Sequence, residues 1–267
     1  MLIRRRSICQ LLIAASSCLL FGQQPSDTPP ERNAEAIEIL SRVVQAAGGA
    51  RALASVHDLT EYGEITFYWG KNVKGPVTIR ALGGNRFRME ADLPLGKSTW
   101  IVKDGVGSKK ESETVVSISR LNAINLGDLT YPVGHVEAAL ADSATKISFV
   151  GIEKREGRSV YRLQVAGRLG LMGDGIPGSV AKDLIVDVLT FEILSVEDHP
   201  YRTYKAGGRF SDTAPREIEF GDFRVVNGVR VPFSISTTLQ GQRTLSIRVG
   251  AVTFNDHVSE EEFQIEK

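Results

Sequence analysis

Between Arg216 and Val249 the chain alternates so regularly that only a few architectures can accommodate it. Val229, Val231, Phe233 and Ile235 are interleaved with Arg230, Pro232, Ser234 and Ser236, the period-two pattern of a strand with one apolar face. Phe223 and Val225 lead into Asn227-Gly228, a dipeptide that tolerates the two positive φ angles of a type I′ hairpin turn. A second turn is expected at Gly241-Gln242, after which Leu245, Ile247 and Val249 alternate again. Pro232 has no N–H to give to a ladder, so its strand is expected to lie at an edge or to carry a bulge there. A meander of this kind has one oily face, and the rest of the chain must cover it.

The N-terminal part supplies one good cover. Thr28-Pro29-Pro30-Glu31 reads as a capping box with Thr28 as N-cap and Glu31 reaching back. The helix after it carries Ile37, Leu40, Val44 and Ala47 on one face and ends at Gly48-Gly49; a short helical turn over Ala50–Val56 follows. From Leu59 the period changes to two. Ile65, Phe67 and Trp69, then Val77, Ile79 and Ala81, then Phe87, Met89 and Ala91, then Thr99–Lys103 give four strands, the last closed by Asp104-Gly105. Strands at this spacing point to a sandwich or an up-and-down barrel and not to βαβ units. Alternation fades over Ser117–Asp142, where Tyr131-Pro132 and Val136–Leu140 fit one or two short helices. It resumes at Lys146–Glu153 and Val160–Val165 around a Glu156-Gly157 turn, and again at Leu184–Val188 and Phe191–Val196. Gly167–Gly178 and Tyr201–Pro215 read as loops, and Asp256–Lys267 as a short acidic tail held down by Phe263.

Arg4, Arg5 and Arg6 precede an apolar run from Ile8 to Phe21 that ends near small residues, the layout of a secretory signal peptide. The expected division is a signal peptide over 1–23 and one domain over 24–267. Cys18 follows Ala15-Ser16-Ser17, so lipidation there is the alternative end of the same segment. Both cysteines, Cys9 and Cys18, fall inside the leader, so the exported chain would have neither thiol nor disulfide. Losing three of 32 basic residues against 32 acidic ones leaves a net charge of −3. That balance argues against nucleic acid as a partner.

Matches to catalytic and cofactor motifs lack their context. Gly173-Asp174-Gly175-Ile176-Pro177-Gly178 has the letters of a dinucleotide fingerprint, but Pro177 interrupts it and strand-like Lys182–Val188 follows where a helix should open. Gly96-Lys97-Ser98 is likewise followed by a strand. His57, His135, His199 and His257 are scattered, and Ser159 and Ser179 sit in no nucleophile elbow. The expectation is a non-enzyme with no cofactor, no metal and no catalytic residue. The aromatic and aliphatic rows carry more information. Phe67, Trp69, Phe87, Met89, Trp100, Phe149, Tyr161, Phe191, Phe233 and Ile235 are the candidate ligand-cavity residues. For each, a place in an ordinary core is the competing reading. One amphipathic helix is little to fill a large curved sheet, and an incompletely filled barrel holds a ligand.

With these elements placed, the chain resembles the LolA/LolB-like superfamily of periplasmic outer-membrane lipoprotein carriers and lipid-binding proteins. The resemblance rests on the leader, the helix ending Ala46-Ala47-Gly48-Gly49 with Leu53 after it, the Trp100–Gly105 hairpin end, and Asp187-Val188-Leu189-Thr190-Phe191-Glu192-Ile193. Asn227-Gly228-Val229-Arg230-Val231-Pro232 and Phe254–Phe263 complete it. It implies a mainly β (α+β) fold, a half-open antiparallel β-barrel of about eleven strands with an N-terminal helix and short middle helices as its lid. It also implies a cavity for acyl chains, with Arg88 the candidate for the family's cavity arginine. The function implied is that of an exported, periplasmic, monomeric protein, peripheral to the membrane, binding a lipid or acylated protein as carrier or sensor, with other envelope proteins as further partners. The alternative is a non-enzymatic interaction module of the envelope with a filled barrel.

Overall fold

The computed structural model describes residues 31–68, 70–118, 123, 126–171, 177–198, 202–204, 210–212 and 216–265. The leader, the Thr28 cap, Trp69 and most of the Gly173–Gly178 motif lie outside them.

The helix α1 (Ala34–Ala46) starts later than the capping-box reading placed it. Asn33 is its N-cap, its side chain accepting from the Ala36 N–H at 2.9 Å. Glu31–Asn33 instead runs extended along a strand edge, where the Asn33 N–H donates to the Ile147 carbonyl at 2.8 Å. Ala36, Ile39, Leu40, Val43 and Val44 are the buried stripe of α1. At its end Gly48 and Gly49 take φ of 125° and 82°, as the Gly-Gly pair predicts. Gly48 is needed for space as well as for φ, because a Cβ there would run into the Gly228 carbonyl. A second, five-residue helix α2 (Ala50–Ala54) follows at once.

Thirteen strands form one open antiparallel sheet. They are β1 (Asp58–Phe67), β2 (Val73–Leu82), β3 (Arg86–Leu93), β4 (Gly96–Lys103), β5 (Val106–Glu111), β6 (Thr114–Ile118), β7 (Lys146–Arg155), β8 (Arg158–Leu171), β9 (Pro177–Asp187), β10 (Ile193–Asp198), β13 (Arg216–Val226), β14 (Val229–Leu239) and β15 (Gln242–Phe254). The spatial order is β6-β5-β4-β3-β2-β1-β15-β14-β13-β10-β9-β8-β7. Two more strands, β11 (Arg202–Tyr204) and β12 (Phe210–Asp212), pair only with each other. The helix α3 (Val133–Ala141) comes from the middle of the chain, and a 3-10 turn, Glu260–Phe263, closes it.

Several turns follow directly from their residues. Asn227-Gly228, Asp104-Gly105 and Glu156-Gly157 each have two positive φ angles. The fourth such turn is Gln240-Gly241, one residue earlier than expected, so Gln242 already belongs to β15. Pro232 pairs with Phe223 of β13, but β14 pairs with β15 only from Ser234 onward. Two residues before it, the Arg230 N–H points away from β13 and donates to the Ala47 carbonyl at 2.9 Å. The proline thus faces a stretch without a neighbouring strand, where no N–H is required.

Three further differences have physical causes. β5 and β6 escaped the sequence reading because Val106–Glu111 places Gly107 and two lysines where an apolar alternation would be sought; Lys109 lies over the Trp100 ring at 5.1 Å. Gly167–Gly178 is not one long loop, since β8 and β9 pair as far as Leu171 and Pro177. Phe191 stands in the β9–β10 turn at φ 56° and not in a strand; the Asp187 carboxylate accepts from the N–H groups of Leu189 and Thr190 and shapes that turn.

The candidate cavity and its lid

Register alone places the inner wall of the cavity. Val102, Phe87, Ala81, Leu59 and Phe254 are paired in sequence across β4, β3, β2, β1 and β15, so their side chains share one row on one face. All five line a cavity of about 580 Å³. Its opposite wall comes from Leu53 and Val56 around α2 and from Tyr131, His135, Glu137 and Ala138 at and before α3. Gly83-Gly84 and Gly105 lie at its rim.

The next row inward is Trp100, Met89, Ile79, Glu61 and Val252, again in register across the same five strands. Four of these are apolar and buried; Glu61 is 2% exposed, and neither carboxylate oxygen has a partner among the described residues. Burial without compensation pushes its carboxyl up to about 8.

The lid is tied down at both ends. The Arg32 guanidinium donates to the carbonyls of Asp142 at 2.6 Å, Leu140 at 3.0 Å and Ala139 at 3.2 Å, meeting the carbonyls that α3 leaves open at its C-terminus. Before α3, Asp128 is buried against the sheet, where Lys182 of β9 donates to it, Arg216 of β13 reaches it at 2.9 Å and His135 Nε2 stands 2.9 Å away. Burial would raise the Asp128 carboxyl, but Lys182, His135 and Arg216 outweigh it and hold it far below the usual carboxylate range. Asp198 of β10 completes this set, 2.6 Å from Arg216 Nε.

The ten candidate residues are divided by the structure. Phe87 lines the large cavity. Met89 and Trp100 lie in the row beneath it, with Phe67 stacked on Trp100 at 5.8 Å. Phe233 and Ile235 are core residues of β14, and the Arg224 guanidinium covers the Phe233 ring at 4.3 Å. Phe149, Tyr161 and Phe191 form a separate aromatic group toward the β7–β8 end of the sheet, with centroid distances of 6.3 and 6.2 Å. Phe191 borders a crevice of only about 20 Å³ beside α1. Trp69 lies outside the described residues. Arg88 is corrected as a cavity arginine: it alternates out of the row that holds Phe87 and Met89, and it donates to the Glu262 carbonyl in the 3-10 turn that covers the opposite face. The lid residues Tyr131, His135 and Glu137 were not among the candidates. Their region lacks periodicity, and only the helix signals at Tyr131-Pro132 and Val136–Leu140 pointed there.

No protein-family model and no curated protein matches the chain. Solved structures do. A putative outer membrane lipoprotein-sorting protein domain from Vibrio parahaemolyticus aligns at 13% identity over 86% of this chain and 97% of that one, with a TM-score of 0.52. A DUF1329 family protein from Desulfovibrio piger aligns at 11% identity over 88% and 98%, with a TM-score of 0.51. The chain has the LolA-like fold. The two likenesses cover 86% and 88% of this chain. Among the described residues no helix is long and apolar enough to cross a membrane, and no three His, Cys, Asp or Glu side chains are grouped as a metal site would need.

Proposed function

We propose that this chain is an exported envelope protein that binds a lipid or acyl chain in the cavity between its sheet and its lid. The observation that carries the proposal is the apolar row Val102–Phe87–Ala81–Leu59–Phe254 facing about 580 Å³ of space. A cavity of that size is within the range that buries most of a small ligand. Support for export and for a place at the envelope comes from the basic and apolar leader and from the fold shared with a lipoprotein-sorting domain. In this reading the protein is a carrier or sensor and not an enzyme. It is monomeric and peripheral to the membrane, and its partners are the lipid or acylated protein and other envelope proteins.

The test is titration with myristate and palmitate. Each buried methylene contributes about 0.8 kcal/mol, so two more should tighten binding roughly tenfold or somewhat beyond. Binding in the micromolar range is expected. Phe87→Ala should lower stability while affecting affinity little, because it enlarges the wall recess; Phe87→Asp should damage both. Absence of saturable binding at either chain length would leave the filled interaction module as the better reading.

A further inference from the structure

The polar groups around the cavity are unevenly distributed. The row on the sheet wall is apolar, and two of the lining polar side chains are already engaged. Arg86 meets Asn85 at 2.9 Å and Glu260 at 3.0 Å, and His135 faces Asp128. Arg86 alternates with Phe87 as Arg88 does, and its ion pair holds it to the 3-10 turn on the opposite face. On the lid, the Tyr131 hydroxyl is shut off from solvent with no partner among the described residues. Glu137, six residues on, lines the same cavity with no hydrogen bond or ion pair to any described residue.

From this arrangement, and resting on the lipid-binding reading above, we propose that the cavity selects amphiphiles whose head is uncharged and donates hydrogen bonds, with Tyr131 and Glu137 reading the head and the sheet row holding the chain. A hydroxyl-bearing ester can donate to Glu137 and exchange a hydrogen bond with Tyr131. A free carboxylate offers no donor and meets Glu137 as a like charge in a poorly solvated place. Burial raises the Glu137 carboxyl, and burial together with the Glu137 charge raises the Tyr131 hydroxyl, so at neutral pH Tyr131 remains a donor.

The experiment compares 1-monopalmitoylglycerol with palmitate at pH 7.5 on the wild type, Glu137→Gln and Tyr131→Phe. The wild type should bind the glycerol ester at least about tenfold more tightly, the worth of one well-made hydrogen bond to a charged group. Glu137→Gln should tighten palmitate several-fold and so narrow the ratio. Tyr131→Phe should weaken the ester and leave palmitate nearly unchanged. If Tyr131→Phe fails to fold, the ratio in Glu137→Gln decides alone, since that half-buried side chain supports no other contact. Equal or tighter binding of palmitate by the wild type, or an unchanged ratio in Glu137→Gln, overturns the head-group selectivity and leaves the lipid-binding reading standing. Failure of both ligands to bind overturns the two together.

Discussion

The thirteen residues of α1 lie over one half of the inner face, whereas only the five of α2 and the segment leading into α3 stand over the other. At 1.5 Å per residue the first helix is about 20 Å long and the second about 8 Å. Under α1 the side chains of Val43, Ile193 and Phe223 leave about 20 Å³; under α2 and α3 the sheet row leaves about 580 Å³. Charge follows the same division. Lys182, Asp198 and Arg216 form one interior row in the filled half, and Asp128 comes down from the lid to neutralise it. In the open half the interior row contains Glu61, whose carboxylate has no hydrogen-bond partner among the described residues. The same strand geometry therefore serves two ends. One half is filled by helix side chains, and the other encloses open space.

Removing the clamp between the halves should have the largest effect. Asp128→Asn leaves Lys182 buried without its closest carboxylate, a change that costs about 3–5 kcal/mol in comparable buried pairs. Denaturant unfolding should show that loss, and hydrogen exchange should show α3 opening well before the sheet. Unchanged protection of α3 would mean that the lid is held by its apolar contacts and by Arg32, and that the clamp is only a local feature.

Truncating matched leucines compares the packing of the halves directly. Leu40 of α1 is fully buried, and Leu53 of α2 is buried but borders the cavity. Leu40→Ala should cost about 3–4 kcal/mol, because the hole it leaves is enclosed on every side. Leu53→Ala should cost roughly half of that, since it extends an existing space and loses mainly its own transfer energy. Equal losses from both would show that the cavity collapses in solution onto Leu53.

Much of the fold was legible in the sequence, and the division into two halves was not, for a physical reason. Period-two alternation and turn dipeptides located most strands and the β13–β14–β15 meander, because each signal is confined to a few adjacent residues. The Gly48-Gly49 stop was legible for the same reason. Which aromatic rings face space and which are packed could not be read that way. Phe87 and Phe233 occupy equivalent positions in their own strands, and only the order of strands across the sheet puts one beneath α2 and the other beside Arg224. Glu61 appears in Asp58–Phe67 as an ordinary polar residue before a tyrosine. It takes its place in an apolar row because Ile79 and Val252 are its partners in register. The lid residues Tyr131 and Glu137 are hidden for another reason: α3 is short, almost uniformly apolar, and has no side-chain cap.

Glu61 gives the finest test, because its effect is set by pH and the sign follows from burial. Burial pushes its carboxyl up from the ordinary carboxylate range to about 8 in the folded chain, so the folded state holds a proton that the unfolded state releases. Below the unfolded value both states are protonated and burial of the neutral acid costs little. As pH rises from about 4.5 toward 8, folding stability falls, and above 8 the loss is complete. Glu61→Gln replaces the acid by a neutral group of similar shape and should remove this slope. Its stability relative to wild type should be near zero in mild acid and increasingly favourable up to pH 8, then level, with a gain of about 1–3 kcal/mol between pH 6 and pH 9. The paired row of the filled half predicts the opposite pattern at Asp128, whose depressed carboxyl keeps its stabilising contribution through neutral pH and loses it only in strong acid. Parallel stability curves for wild type and Glu61→Gln from pH 5 to pH 9 would show that the carboxylate is solvated in the folded protein, and the contrast in charge between the two halves would then fail at this residue.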